Sequence, residues 1–458
     1  MQELIDRDEQ RARLVDAADN PPQLVVLRGR RRIGKSFLID RALAGRRVIS
    51  FQADEQPERG HLDLLAREAA RLLPGRPPLT FGDWETALEF FAAQAKQQPL
   101  TVVLDEFQWL VQAQRALPSI LQRHWDRWQR AGTPVTLVLS GSALTLMEEL
   151  LAHGSPLFGR ANYRPLIGPL DYRDAACFAR ERSTPEALLR RYAVLGGTPQ
   201  YQVWAGTGPL PAVIRDRILR KGESLYEEPL HLLREEQRIR DPGTYFAVLA
   251  AIASGATQFN EIQQRAGIAK NLDLMLARLD ELGYIARREA LEPAARRARG
   301  GYRIADPFFR FWFRYVFPNR SRLERGRVGE VYADVEADLD TFMGLAFEDS
   351  AREWLGRYAL SGRFPDSERL GSWWSRDGHV EIDIVGTSKD RYDLVASCKW
   401  SQRAKASALG DLLAARDQLG GRAARAALVI FARGFDQQLV RHATEHDVTL
   451  VGIDDLFT

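Results

Sequence analysis

Leu24-Val-Val-Leu27, then Gly29-Arg30-Arg31-Arg32-Ile33-Gly34-Lys35-Ser36, is an apolar run that breaks into a glycine-bounded loop ending on a lysine and a hydroxyl. Short apolar runs bounded by glycine read as strands buried on both faces, and the stretch from Phe37 reads as a helix. Gly29 and Gly34 let the backbone curl so that successive N–H groups point at one centre, and the positive end of the following helix adds to them. A strand, a G-x-x-x-x-G-K-S loop and a helix in that order form a phosphate cradle. Lys35 is expected to reach the β- and γ-phosphates and Ser36 to ligate Mg²⁺. Gly29, Arg30, Arg31, Arg32, Ile33, Gly34 and Phe37 complete the expected cofactor-binding set, with ATP and Mg²⁺ as the cofactors.

Working outward, RVISF from Arg47, TVVLDE from Thr101 and VTLVLSGS from Val135 supply further strand-like runs separated by helical stretches. Strand and helix in alternation predict an α/β fold with a parallel sheet covered by helices. The second of these runs ends in Asp105-Glu106, two carboxylates delivered at the end of a buried strand. Asp105 is expected to hold Mg²⁺, and Glu106 to polarise the attacking water as a general base. The third run ends in Ser140 and Ser142, either of which could meet the γ-phosphate or the water, or simply close strand-end hydrogen bonds. Arg160, in Pro-Leu-Phe-Gly-Arg, is a candidate charge stabiliser, with an ordinary surface arginine as the alternative.

The chain has 458 residues, 45% hydrophobic and 27% charged, which predicts several packed domains and argues against wholesale disorder or a membrane protein. A formal net charge of +3 excludes strong global attraction to nucleic acid, so any such binding has to come from local patches. Cys177 and Cys398 are the only cysteines, too few for a disulfide framework and too far apart for a zinc motif. A reducing compartment and a cytoplasmic location are therefore expected, with no membrane span.

Four regions are expected. Residues 1–180 form the nucleotide-binding core, and 181–240 a helical lid interrupted by Gly196-Gly-Thr-Pro199. Residues 241–327 form a winged-helix domain with a connecting aromatic helix, and 328–458 a small α/β domain. The winged-helix reading rests on three apolar-periodic helices followed by YIARRE from Tyr284 and YRIAD from Tyr302 as a hairpin. Lys270, Asn271 and Arg278 near the third helix and Arg296, Arg297 and Arg299 at the wing are the candidate contacts to double-stranded DNA; a packing role between domains is the competing reading. Phe308–Phe317 (FFRFWFRYVF) reads as a buried helix rather than a stacking surface for bases.

IDRDEQ, GRRRIGKS, FQADEQ, LDEFQWL, LSGSALTLM, SPLFGR, GGTPQY and IADPFFRFWFRYVFPN together resemble the archaeal-type ATPase family, related to the STAND and AAA+ ATPases, over nearly the whole chain. The resemblance implies an ATP switch whose lid senses nucleotide through Gly197 and Pro199, and an adenine contact from around Arg7. It also implies a C-terminal domain similar to PD-(D/E)xK nucleases, in which Glu348, Asp383 and Lys399 match the expected positions. At Ser397 this chain has Ala-Ser-Cys-Lys-Trp where relatives carry a glutamate. A hydroxyl is a poorer Mg²⁺ ligand than a carboxylate, so weak metal affinity and little cleavage are expected unless Glu381 or Asp393 substitutes, and Ser397→Glu is expected to raise metal affinity. The resulting reading is a slowly hydrolysing regulatory ATPase coupling nucleotide state to DNA or a protein partner. An ATP-gated DNA nuclease and a scaffold with structural ATP are the alternatives, and the oligomeric state stays open.

Overall fold

The computed structural model describes residues 4–73, 78–180, 182–236, 239, 241–288, 291, 301–359, 362, 364–375 and 379–458. They form two compact units, Met1–Pro169 and Leu170–Thr458.

In the first unit the anticipated strands are β1 (Gln23–Arg28), β2 (Val48–Gln52), β3 (Leu100–Asp105) and β4 (Val135–Gly141), in the spatial order β1-β4-β3-β2 and all parallel. All residues of β3 and β4 are buried, which is why they read as unbroken apolar runs rather than alternating ones. One face is covered by a core that includes Leu65, Phe91, Trp125 and Trp128, and the other by Leu14, Leu38 and Ile39. Because the strands run in one direction, the loops after β1, β3 and β4 leave from one edge, the usual place for a ligand in such sheets. Tyr163–Ile167 runs beside β1, with Val26 N–H donating to Tyr163 O and Ile167 N–H to Arg28 O. It fixes the mouth of the loop that follows.

The expected lid, winged-helix and nuclease-like segments all fall in the second unit. The helices Pro242–Ala253, Phe259–Ala266 and Leu272–Glu281 precede β5 (Ile285–Arg288) and β6 (Gly301–Ile304), an antiparallel pair in the register Ile285↔Ile304. The wing arginines Arg296, Arg297 and Arg299 lie outside the described residues. Phe308, Phe309, Phe311, Trp312 and Phe313 are buried, in a short helix, Pro307–Phe311, that passes into a π-helical turn. Bases cannot stack on rings already packed inside the protein.

The last region is built on Val328–Ala359, a helix considerably longer than the Leu345–Tyr358 stretch that the sequence indicates. It packs on a five-stranded mixed sheet, β11 (Val448–Gly452), β10 (Ala427–Ala432), β9 (Arg391–Lys399), β8 (Glu381–Ser388) and β7 (Arg369–Trp374), in that spatial order. Ile384, Leu394, Ala396, Val429 and Phe431 on one face join a core shared with the lid and winged-helix residues. Val385, Val395 and Ile430 on the other face form a separate core with Leu409, Leu412 and Leu439, from the helices Ser407–Gln418 and Gln437–Glu445.

Candidate functional site

The loop after β1 depends on its glycines for different reasons. A Cβ at Gly29 would lie 2.6 Å from the carbonyl oxygen of Ile167, so the segment running beside β1 forbids any side chain. Gly34 has φ 93°, a left-handed conformation that opens the helix Lys35–Ala42 and that glycine adopts without strain. Arg32 also sits at positive φ, so the chain turns sharply twice within the loop.

Lys35 is buried, and its Nζ donates to Gly29 O at 2.8 Å and Arg30 O at 3.2 Å, drawing the ammonium across the loop. Burial pushes the lysine below its ordinary pKa, while the carboxylates of Glu106 and Asp105 act the other way. An ammonium held at a desolvation penalty gains from any further anion that reaches it. Ser36 Oγ donates to Asp105 Oδ2 at 2.5 Å, and Asp105 Oδ1 accepts the Glu106 N–H at 3.0 Å. The predicted Mg²⁺ ligands are thus brought together from chain positions far apart. A hydroxyl and a carboxylate side by side are hard oxygen donors suited to Mg²⁺, which they would hold along with phosphate oxygens and water.

Glu106 adopts φ 52° and ψ 45°, a left-handed turn rare for a residue with a side chain. Its Oε2 accepts from Ser142 Oγ at 2.7 Å and also from Gln108 Nε2, which in turn lies 3.1 Å from Ser142 Oγ. Ser140 is buried and, among the described residues, its hydroxyl has no hydrogen-bond partner. The two serines therefore differ: Ser142 engages the candidate base, whereas Ser140 does not. Gln108 is the residue that sequence reasoning missed.

Arg160 forms an ion pair with Asp126. Its Nε and Nη2 donate to the two carboxylate oxygens of Asp126 at 2.7 and 2.9 Å, and this pairing holds the Asp126 carboxyl below its usual range. Arg7 is buried at a left-handed position before the helix Asp8–Asp19, with its guanidinium on Gly168 O at 2.5 Å. Gly197 and Pro199 belong to the second unit, where a Cβ at Gly197 would lie 1.8 Å from Leu170 O and Pro199 starts the helix Pro199–Ala205.

In the winged helix, Lys270 and Asn271 are exposed just before Leu272–Glu281 and Arg278 is half-buried. The rest of that helix's exposed face is Asp273, Leu274, Ala277, Asp280 and Glu281. In the nuclease-like sheet, Glu348, Asp383 and Ser397 are brought close, and Lys399 ends β9. Cys398 N–H and Ser397 Oγ donate to Asp383 Oδ2 at 2.6 and 3.3 Å. Glu348 Oε1 accepts Arg352 Nη2 at 2.6 Å, with Arg288 Nη2 at 3.6 Å. Burial nevertheless raises the Glu348 pKa, with both arginines opposing the rise.

The substitutes for the missing glutamate are engaged as well. Glu381 pairs with Arg288 at 2.9 Å, and Asp393 accepts hydrogen bonds from Ser367 and Ser388. Two guanidiniums thus already stand against Glu348 and Glu381, which weighs against a gain in metal affinity from Ser397→Glu by itself. Among the described residues no group of three or more His, Cys, Asp or Glu side chains is arranged to hold a metal ion, and no helix is long and apolar enough to cross a membrane.

A parallel sheet whose first strand runs into this loop, with the Asp105-Glu106 pair at the end of β3 on the far side of β4, defines a P-loop domain of the ATPase class. The winged-helix region and the nuclease-like sheet are the further regions that the motif resemblance to the archaeal-type ATPases implies. Residues 312–409 match the family described as archaea bacterial proteins of unknown function, a segment that includes the long helix, β8 and β9. The chain is 29% identical over 404 residues to the uncharacterized protein MJECL04 of Methanocaldococcus jannaschii, covering 86% of this chain and 87% of that one. Among solved structures it is similar to the Walker-type ATPase paby2304 of Pyrococcus abyssi, at 21% identity and TM-score 0.48, covering 68% of this chain and 96% of that one. It is also similar to the ORC2 protein of Aeropyrum pernix, at 14% identity and TM-score 0.44, covering 73% and 96%. The class of the first unit follows from its strand order and loop, independently of these likenesses.

Proposed function

We propose that the first unit binds ATP with Mg²⁺ and hydrolyses it slowly, and that the chain works as a nucleotide-dependent switch. The observation that carries this reading is the contact between Ser36 and Asp105 at 2.5 Å, beside a buried Lys35 and a Glu106 held in a left-handed turn. Loop N–H groups and Lys35 bind the phosphates, and Ser36 and Asp105 hold Mg²⁺, which when bound offsets charge on the phosphate oxygens. Glu106 accepts a proton from water as the water oxygen bonds to the γ-phosphorus and the bond to the ADP oxygen breaks, leaving ADP and phosphate. Arg7 is the proposed adenine contact, and Gly197 and Pro199 the proposed sensors of nucleotide state. The test is ATP turnover by the full chain: Glu106→Gln should retain Mg-ATP yet lose at least about a hundredfold in rate. Equal rates in the variant and the wild type would end the assignment.

The output of the switch is proposed to be DNA or a protein. The exposed face of Leu272–Glu281 favours a protein partner, because Asp273, Asp280 and Glu281 would meet phosphates with like charge while Leu274 offers apolar contact. Turnover measured with and without duplex DNA over a range of salt separates the two. Stimulation that falls steeply with salt supports DNA, and no change supports a protein.

A further inference from the structure

We propose that Gln108 is a positioning residue for hydrolysis: with Ser142 it anchors one oxygen of the Glu106 carboxylate and leaves the other to take the proton. This rests on the reading of Glu106 as the base. Gln108 lies on the first turn of the helix Phe107–Ala113, where a polar residue ordinarily faces water. Here it is only 3% exposed, because the left-handed backbone at Glu106 redirects the chain as it leaves β3.

The three side chains form a closed triangle. Ser142 Oγ and Gln108 Nε2 both donate to Glu106 Oε2, and Gln108 Nε2 also lies within reach of Ser142 Oγ. Both hydrogen bonds fall on Oε2, and among the described residues Oε1 takes none. A carboxylate oxygen has two lone-pair directions, so two donors saturate Oε2 while Oε1 keeps its capacity to accept. The glutamine cannot be turned the other way round, since its carbonyl oxygen would then oppose the carboxylate.

Two further observations set Gln108 apart from core filler. Its own Oε1 is buried without a partner among the described residues, a destabilising arrangement that an apolar residue of similar size avoids. Gly141, at the end of β4, leaves room for it: a Cβ there would sit 2.9 Å from Gln108 Oε1 and 2.5 Å from Met147 Sδ. A base oriented by a third group is a recurring catalytic arrangement, and loss of the orienting group is felt in the chemical step rather than in binding.

The experiment measures single-turnover and steady-state hydrolysis of Mg-ATP by the full chain. Gln108→Leu should lower kcat at least about tenfold with KM within about twofold of wild type. Ser142→Ala should lower kcat in the same way, and Ser142→Thr, which keeps the hydroxyl, should restore most of it. In a Glu106→Gln background, Gln108→Leu should change the rate no further, because the group it orients is gone. Wild-type kcat in Gln108→Leu, or the same fractional loss in both backgrounds, overturns the proposal in favour of a structural role. If Gln108→Leu no longer binds Mg-ATP, the Ser142→Ala and Ser142→Thr pair decides, and equal rates for those two overturn it. A Glu106→Gln variant as fast as wild type refutes the assignment of the base itself, which is a different failure.

Discussion

Two groups of acidic side chains in this protein, one at the end of β3 and one on the helix Val328–Ala359 and the adjoining β8, have opposite electrical settings. Asp105 in the first unit faces a serine hydroxyl at 2.5 Å, a neutral neighbour whose oxygen can itself ligate a cation. Glu348 in the second unit faces Arg352 at 2.6 Å and Arg288 at 3.6 Å, which are permanent cations. A carboxylate beside a hydroxyl keeps its appetite for a metal, while one already met by guanidinium has little left to gain. The difference lies in the counter-charge supplied by the surroundings more than in the number of acids.

The largest expected effect breaks the comparison on the first side. Lys35→Ala should lower Mg-ATP affinity at least about a hundredfold, since a buried ammonium facing the phosphates is lost. Mg-ATP should raise the melting temperature of wild type and leave that of the variant unchanged. On the second side, Ser397→Glu alone should bind Mn²⁺ no better than wild type by nucleotide-free calorimetry. Combined with Arg288→Met and Arg352→Met, it should gain at least about tenfold. A gain from Ser397→Glu alone would mean that the arginines yield to metal, and the contrast between the two clusters would collapse.

Smaller effects sharpen it. Arg160→Ala should cost at most about 1 kcal/mol in denaturant unfolding and leave hydrolysis nearly intact, because Arg160 is spent on Asp126. A loss of more than about tenfold in kcat with unchanged affinity would return it to the reaction. Finally, burial raises the Glu348 pKa, so its protonated form is favoured by folding. The stabilising contribution is full below the ordinary glutamate pKa of about 4.3 and is lost as pH rises through the higher folded value. Melting curves of wild type should therefore fall relative to Glu348→Gln as pH increases from acid toward neutral; parallel curves would show that the arginines, not burial, dominate.

The phosphate loop was legible because its chemistry is local: two glycines, a lysine and a serine in one short stretch, between an apolar strand and a helix. Asp105 and Glu106 were legible for a similar reason, as acids closing a buried run. Gln108 was not, since only the left-handed backbone at Glu106 turns it inward, and nothing in Asp-Glu-Phe-Gln announces positive φ on a glutamate. Arg288 reaches Glu348 and Glu381 from a distant strand of the winged helix, and no spacing foretells that meeting. Arg352 could have been found, because it stands four residues after Glu348 on one helix, a separation at which opposite charges face each other.

The core shared by Leu189 of the lid, Leu249 and Leu276 of the winged helix and Ile384, Ala396 and Phe431 of the nuclease-like sheet has a consequence for inheritance. A lineage that dropped the sheet would strip its neighbours of part of their interior, so the deletion would be purged as a misfolding lesion whether or not the sheet carries chemistry. The polar residues around Asp383 can change one by one while the scaffold beneath them is retained as ballast the rest of the chain needs in order to fold.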